Sequence, residues 1–260
     1  VGPLPGRDLA LIAEAARAAG AIALRYWKAD PQVWEKPGLG PVTEADLAVN
    51  AMLAAQLQAA RPGYGWLSEE TPDDPARLDC ERVFILDPID GTRAFIAGEK
   101  HFAVSIAVAD KGKVVAGAIY LPALDMLYSA SSDGPALCNG LAIQCADRPG
   151  LTGANLLMSK SFLAPEHWRQ SPPDLKRSFR SSIAYRLCLA AEGAFDGMIS
   201  TRDAWEWDIA AGSLIAARAG AVVSDRNGGP LRFNSAGAKT AGILAAPSGV
   251  HREILAQFMP

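Results

Sequence analysis

Histidine and cysteine are scarce in this chain: three histidines and four cysteines among 260 residues. Cys80, Cys138, Cys145 and Cys188 form no C-x-x-C pair, and with so few histidines no zinc-ligand spacing arises. They read as reduced, partly buried thiols. Basic clusters are equally rare, and no Lys/Arg run exceeds Lys176-Arg177. With a net charge of −3, direct nucleic-acid binding is not expected. No apolar run approaches the roughly 18–20 residues of a membrane span. Val1 to Arg7 lacks the basic-then-apolar layout of a signal peptide, so a cytoplasmic location is expected. Neither a G-x-S-x-G elbow nor a P-loop is present, and Gly38-x-Gly40 lacks the third glycine of a dinucleotide fingerprint. Aspartyl-phosphate phosphatases carry D-x-D-G-T after the first strand. The corresponding aspartates here are three apart and far from the start.

What the chain does have is a globular composition: half the residues are hydrophobic and 20% are charged. The length suits one large domain or two small ones, burying roughly 70–75% of the unfolded surface. Leu9, Ile12, Ala16, Ala19 and Ala23 recur at helical spacing and predict a helix to about Trp27. A Pro- and Gly-rich loop follows through Pro41, and a second helix starts near Thr43. Val83 to Leu86 is a buried-strand run. Phe102, Val104, Ile106 and Val108 alternate as a strand, Lys111-Gly112 turns into a strand from Val114 to Tyr120, and another spans Met126 to Ala130. Asn139-Gly140 marks a turn. Strands at Leu156–Met158, Gly197–Ile199, Ala221–Val223 and Gly242–Ala245 then alternate with helices at Ile183–Glu192, Asp208–Ala219 and His251–Phe258. The sum is a layered α+β or mixed α/β fold.

The carboxylates fall at special places. Asp87-Pro88-Ile89-Asp90-Gly91-Thr92 directly follows the apolar strand, and a loop at a strand end is a common site address. Glu69-Glu70 lies shortly before it. Asp208 opens a helix, and Asp46 sits in the first turn of another. Each has a plainer reading: Thr43-x-x-Asp46 as a capping box, Asp208 as an N-cap, Asp90-Gly91 as a turn, Glu69-Glu70 as a solvated loop. If they converge, each carboxylate pair about 4 Å apart repels by roughly 4 kcal/mol at an effective dielectric near 20. Such a cluster needs counter-charge. All-oxygen ligands without His or Cys select hard cations, Mg²⁺ first. Two or three such ions would also bind a phosphate and acidify a water for attack on phosphorus. Gly91 would let the backbone approach an anion.

Four motifs stand in one order: Pro41-Val42-Thr43-Glu44-Ala45-Asp46, Ser68-Glu69-Glu70, Asp87 to Thr92, and Trp207-Asp208-Ile209-Ala210-Ala211-Gly212. By them the chain resembles the inositol monophosphatase superfamily of Mg²⁺-dependent, lithium-sensitive phosphatases. The resemblance implies an αβαβα five-layered sandwich. Residues 1–135 would form an α+β half carrying most metal ligands, and residues 136–260 an α/β half carrying Asp208 and the specificity residues. It implies that Glu69, Asp87 and the Ile89 carbonyl hold one metal, that Asp87, Asp90 and Asp208 hold a second, and that Glu69 helps hold a weaker third. Thr92, linked to Asp46, would orient the water, and the N–H groups of Gly91 and Thr92 would cradle the phosphate. Ser68 stands where many members have glycine.

In inositol-phosphate members an acidic residue lies seven before the W-D aspartate. Here that position is Thr201, followed by Arg202. Arg186 stands where the similar 3'(2'),5'-bisphosphate nucleotidase branch has a lysine, and could pair bidentately with a second phosphate. It also reads as a surface helix residue. Arg93 fits that branch too, and Tyr185 or Trp205 could stack a base. The resemblance thus implies a metal-dependent phosphomonoesterase acting on adenosine 3',5'-bisphosphate. Inositol 1-phosphate, histidinol phosphate and fructose 1,6-bisphosphate stay open as substrates. So does a non-catalytic role as a protein partner of transcription or RNA-processing machinery. A small phosphorylated substrate is the expected partner, and a homodimer is admitted.

Overall fold

The computed structural model describes residues 5–38 and 40–259. Residues 1–4 of the segment read for a leader, Val1 to Arg7, lie outside them. The chain opens with α1 (Pro5–Tyr26), β1 (Val33–Lys36), β2 (Gly40–Thr43) and α2 (Glu44–Ala60). Next come β3 (Gly65–Ser68), β4 (Arg82–Asp90), α3 (Thr92–Ile96), β5 (Ala103–Asp110), β6 (Lys113–Leu121) and β7 (Met126–Ser131). Two short strands follow, β8 (Leu137–Cys138) and β9 (Leu141–Ala142). Then come β10 (Ala154–Leu157), β11 (Leu175–Ser178), α4 (Ile183–Ala191), β12 (Met198–Ser200), β13 (Ala204–Trp205) and α5 (Glu206–Arg218). The chain closes with β14 (Val222–Ser224), β15 (Lys239–Thr240), β16 (Ile243–Ala246) and α6 (Ser248–Gln257).

The first sheet has the strand order β3-β4-β5-β6-β7-β8-β9, parallel only between β3 and β4. The second has the order β11-β10-β12-β16-β14. α1 and α2 cover one face of the first sheet; α4 and α5 cover the other and also touch the second sheet; α6 closes the outside on β16. This is the expected αβαβα layering. β5 shows how the layers are cemented. Val104, Ile106 and Val108 join the core under α1 and α2, while Ala103, Ala107 and Ala109 point into the core shared with α5. Large residues on one face and small ones on the other let α5 approach the sheet closely. Gly117 of β6 marks that approach, since a Cβ there would stand 2.9 Å from the Ala211 carbonyl oxygen and 3.0 Å from its Cα.

The sequence reading named no element at α3 or at the short strands β8, β9, β11, β13 and β15, and it differs from the structure at three places beside the site. The loop before Thr43 contains an antiparallel ribbon pairing Val33 with Thr43 and Lys36 with Gly40. β1 is exposed at Val33, Trp34 and Glu35, so no alternation of burial advertises it. β3 is only four residues long, too short for its pattern to stand out. β4 does not stop at Leu86 but runs to Asp90, with a register shift between Asp87 and Asp90. Pro88 has no N–H to give the ladder, so the strand bulges there.

Gly117→Ala should therefore press α5 away from β6 against backbone atoms that cannot rotate aside. The expected cost is about 1–3 kcal/mol. Each kcal/mol should lower the melting temperature by roughly 2–4 °C, read by thermal denaturation.

Candidate active site

The parallel pairing of β3 with β4 sets the site. The register matches Ser68 with Leu86, so the next residues along, Glu69 and Asp87, come side by side, Glu69 beyond the end of β3 and Asp87 still within β4. Ser68 is tied to α2: its hydroxyl donates to Asn50 Oδ1 at 2.7 Å, and the Glu70 N–H donates to it at 3.3 Å. The serine that departs from the family's glycine thus anchors the turn carrying the Glu pair. Asp87 Oδ1 accepts from the Ile89 N–H at 2.9 Å and folds the chain around Pro88.

Gly91 has φ +97°, and a Cβ on it would lie 3.1 Å from the His101 carbonyl oxygen. Only glycine fits this sharp corner, from which α3 starts. At Asp46 the capping box is present: Oδ2 accepts from the Thr43 N–H at 2.8 Å and from the Thr43 hydroxyl at 2.6 Å. Its other oxygen lies 3.4 Å from Thr92 Oγ1, whose shorter contact is to the Ile89 carbonyl at 3.1 Å. The capping and functional readings of Asp46 are therefore compatible in one side chain. Asp208 is in the first turn of α5, capped by Trp205 rather than by Asp208 itself.

One carboxylate oxygen each from Glu69, Asp87 and Asp208 lie within 4.8 Å of one another. Asp90 borders the same cavity, but its Oδ2 accepts from the Ser182 hydroxyl at 2.6 Å and the Ala184 N–H at 2.5 Å, at the start of α4. Burial first, then repulsion from neighbouring carboxylates, pushes Asp87 and Asp208 well above the usual carboxylate range. Burial raises Asp90 to about 6 against the hydrogen bonds from Ser182 and Ala184, and raises Asp46 to about 7 against those from Thr43. These carboxylates are short of positive charge. Lys36, from the ribbon, donates to Glu69 at 2.8 Å and to Glu70 at 2.6 Å. Burial works against its charge, yet those bonds raise its pKa overall. An all-oxygen, charge-deficient set of this kind fits a hard dication.

The cavity over the cluster measures about 350 Å³, within the range of small-ligand pockets. Ile89, Gly91, Thr92, Arg93 and Arg186 line it together with the four acids. Arg186 is not a surface residue: it is 7% exposed, and burial lowers its pKa against the pull of Asp90 and Asp208. Trp205 also lines the cavity. Thr201 lies outside the lining, its carbonyl accepting from Arg226 at 3.0 Å. Tyr185 also lies outside it, 7% exposed and stacked on His101. The sequence reading passed over Lys36, Ser182 and Phe179. Ser182 carried a signal, because a serine before an apolar helical run is an N-cap. Lys36 and Phe179 carried none.

Among the described residues no helix is long and apolar enough to cross a membrane. The family model described as the inositol monophosphatase family matches residues 7–259. The chain is 36% identical to an inositol-1-monophosphatase of Mesorhizobium japonicum, over 72% of this chain and 73% of that one. It is 35% identical to the 3'(2'),5'-bisphosphate nucleotidase CysQ of Escherichia coli O157:H7, over 85% of this chain and 92% of that one. The crystal structure of the extragenic suppressor protein suhB from Bartonella henselae superposes with a TM-score of 0.83 at 27% identity, covering 96% of this chain and 97% of the other. The chain belongs to the inositol monophosphatase family, whose members hydrolyse phosphate monoesters.

Proposed function

We propose that this chain is a Mg²⁺-dependent 3'(2'),5'-bisphosphate nucleotidase that converts adenosine 3',5'-bisphosphate to AMP and phosphate in the cytoplasm. One observation carries the choice of substrate. Arg186 is a buried guanidinium in the wall of the acidic cavity, and its only hydrogen bond among the described residues is a long one, Nε to the Ser182 carbonyl at 3.4 Å. A buried guanidinium calls for an anion, and a second phosphate supplies a bidentate one. Inositol 1-phosphate offers no such group. It is the second reading, favoured by the identity to the Mesorhizobium japonicum protein.

In this reading residues 1–135 contribute Asp46, Glu69, Asp87, the Ile89 carbonyl and Asp90, and residues 136–260 contribute Asp208 and Arg186. Glu69, Asp87 and Ile89 would hold one Mg²⁺, and Asp87, Asp90 and Asp208 a second, with Glu69 shared by a weaker third. Bound there, the metal supplies Lewis acidity toward the phosphate and the attacking water. The N–H groups of Gly91 and Thr92 orient the phosphate. Thr92 holds the water, and Asp46 stands behind it, 3.4 Å from Thr92 Oγ1. The water oxygen bonds to phosphorus and gives up a proton to Asp46 by way of Thr92, the ester P–O bond breaks, and the nucleoside oxygen leaves with a proton taken from solvent. Ser182 and the Ala184 N–H hold Asp90 in place through one oxygen and leave the other for the cavity.

Phosphate release from adenosine 3',5'-bisphosphate and inositol 1-phosphate, measured side by side with and without Mg²⁺, tests this. The nucleotide should have the higher kcat/KM, and Arg186→Ala should abolish that preference. A preference for inositol 1-phosphate, or no effect of Arg186→Ala, would overturn the nucleotide reading. Asp90→Asn should lower kcat by roughly 100-fold or more while the fold, checked by circular dichroism, is kept.

A third expectation concerns stability without metal. Asp46 and Asp90 titrate higher folded than unfolded, so the folded state holds more protons. Their contribution is present at low pH and is lost as pH rises from about 4 to about 7. The melting temperature in EDTA should fall across that window. Added Mg²⁺ should restore most at the alkaline end, and no response to Mg²⁺ at alkaline pH would count against the metal site.

A further inference from the structure

We infer that Phe179 selects for an aromatic ring in the substrate, offering the exposed part of its ring to the base of a nucleotide whose phosphate is held at the acidic cluster. The inference rests on the nucleotide reading above. Phe179 directly follows β11 and is 46% exposed. It belongs to none of the three buried core clusters. Two cations stand over its ring: the guanidinium carbon of Arg186 is 5.0 Å from the centroid and that of Arg177 5.8 Å. The ring borders the same cavity as Asp208 and Arg186. With a phosphate at Glu69, Asp87 and Asp208, Arg186 and Phe179 are part of the remaining wall along which the rest of the ester can extend.

The other aromatic groups near the site are already engaged. Trp205 stacks on Trp207 at 4.5 Å and 10°, and Lys239 Nζ stands 4.0 Å from the Trp205 ring centroid. Trp205 is therefore held between two groups of this chain and is only partly exposed. Tyr185 is buried against His101. Phe179 alone of the three combines an exposed ring with a place in the cavity wall. A stacked base gains affinity without base-specific hydrogen bonds, because every base has a π-face.

The test compares two monophosphates, so that it does not depend on the second phosphate. The kcat/KM ratio of adenosine 2'-monophosphate to inositol 1-phosphate should fall about tenfold in Phe179→Ala and be kept in Phe179→Trp. Calorimetric affinity for adenosine 5'-monophosphate should fall by about the same factor in Phe179→Ala, without any turnover. An unchanged ratio and affinity, an equal loss on both esters, or no binding of adenosine 5'-monophosphate by the wild type would overturn the inference. Failure of the bisphosphate reading shows elsewhere, as Arg186→Ala leaving the ratio of adenosine 3',5'-bisphosphate to adenosine 2'-monophosphate unchanged.

Discussion

Repulsion among Glu69, Asp87, Asp90 and Asp208 is the constraint around which this molecule is organised. Each close pair costs several kcal/mol at the dielectric of a partly buried site, and folding gathers all four on one cavity. Burial first, and then that repulsion, raises the pKa of Asp87 and Asp208, while burial raises that of Asp90. The same repulsion that strains the metal-free protein creates affinity for a divalent cation. Stability and function are thus opposed at one place, and the surrounding layers must hold the acids together until a cation arrives.

They do so mainly with helix starts. α2, α4 and α5 each begin at the site, through Asp46, through the Ser182–Ala184 turn that grips Asp90, and through Asp208. Helix N-termini carry free N–H groups and partial positive charge, which suits carboxylates. The close packing of α5 on β6 at Gly117 keeps Asp208 in register with acids that come from β3 and β4. Lys36 adds a full positive charge from an otherwise exposed ribbon. Arg186 borders the same cavity and feels the charge of Asp90 and Asp208, but its guanidinium makes only one long hydrogen bond among the described residues.

Much of this was legible in the sequence. The alternation of large and small residues in β5 announced a strand, and Thr43-x-x-Asp46 announced a helix start. The four motifs were enough to name the family and the layering that follows from it. The β1–β2 ribbon was not legible, because its first strand is exposed and shows no periodicity. Neither was the length of β4, because Pro88 reads locally as the end of a strand, and only the neighbouring β5 lets the chain bulge and continue.

By itself the sequence determined the element types, the acidic motifs and the hard-cation chemistry that oxygen ligands imply, since these depend on residue kind and local spacing. Convergence was decided by tertiary structure. Glu69 and Asp87 meet because β3 and β4 pair in parallel with Ser68 opposite Leu86, and register is a property of two strands together. The same holds for Arg186 and Phe179. A helix residue and a loop aromatic became walls of one cavity because the second sheet packs α4 against the first, a placement that long-range burial sets and no local pattern encodes.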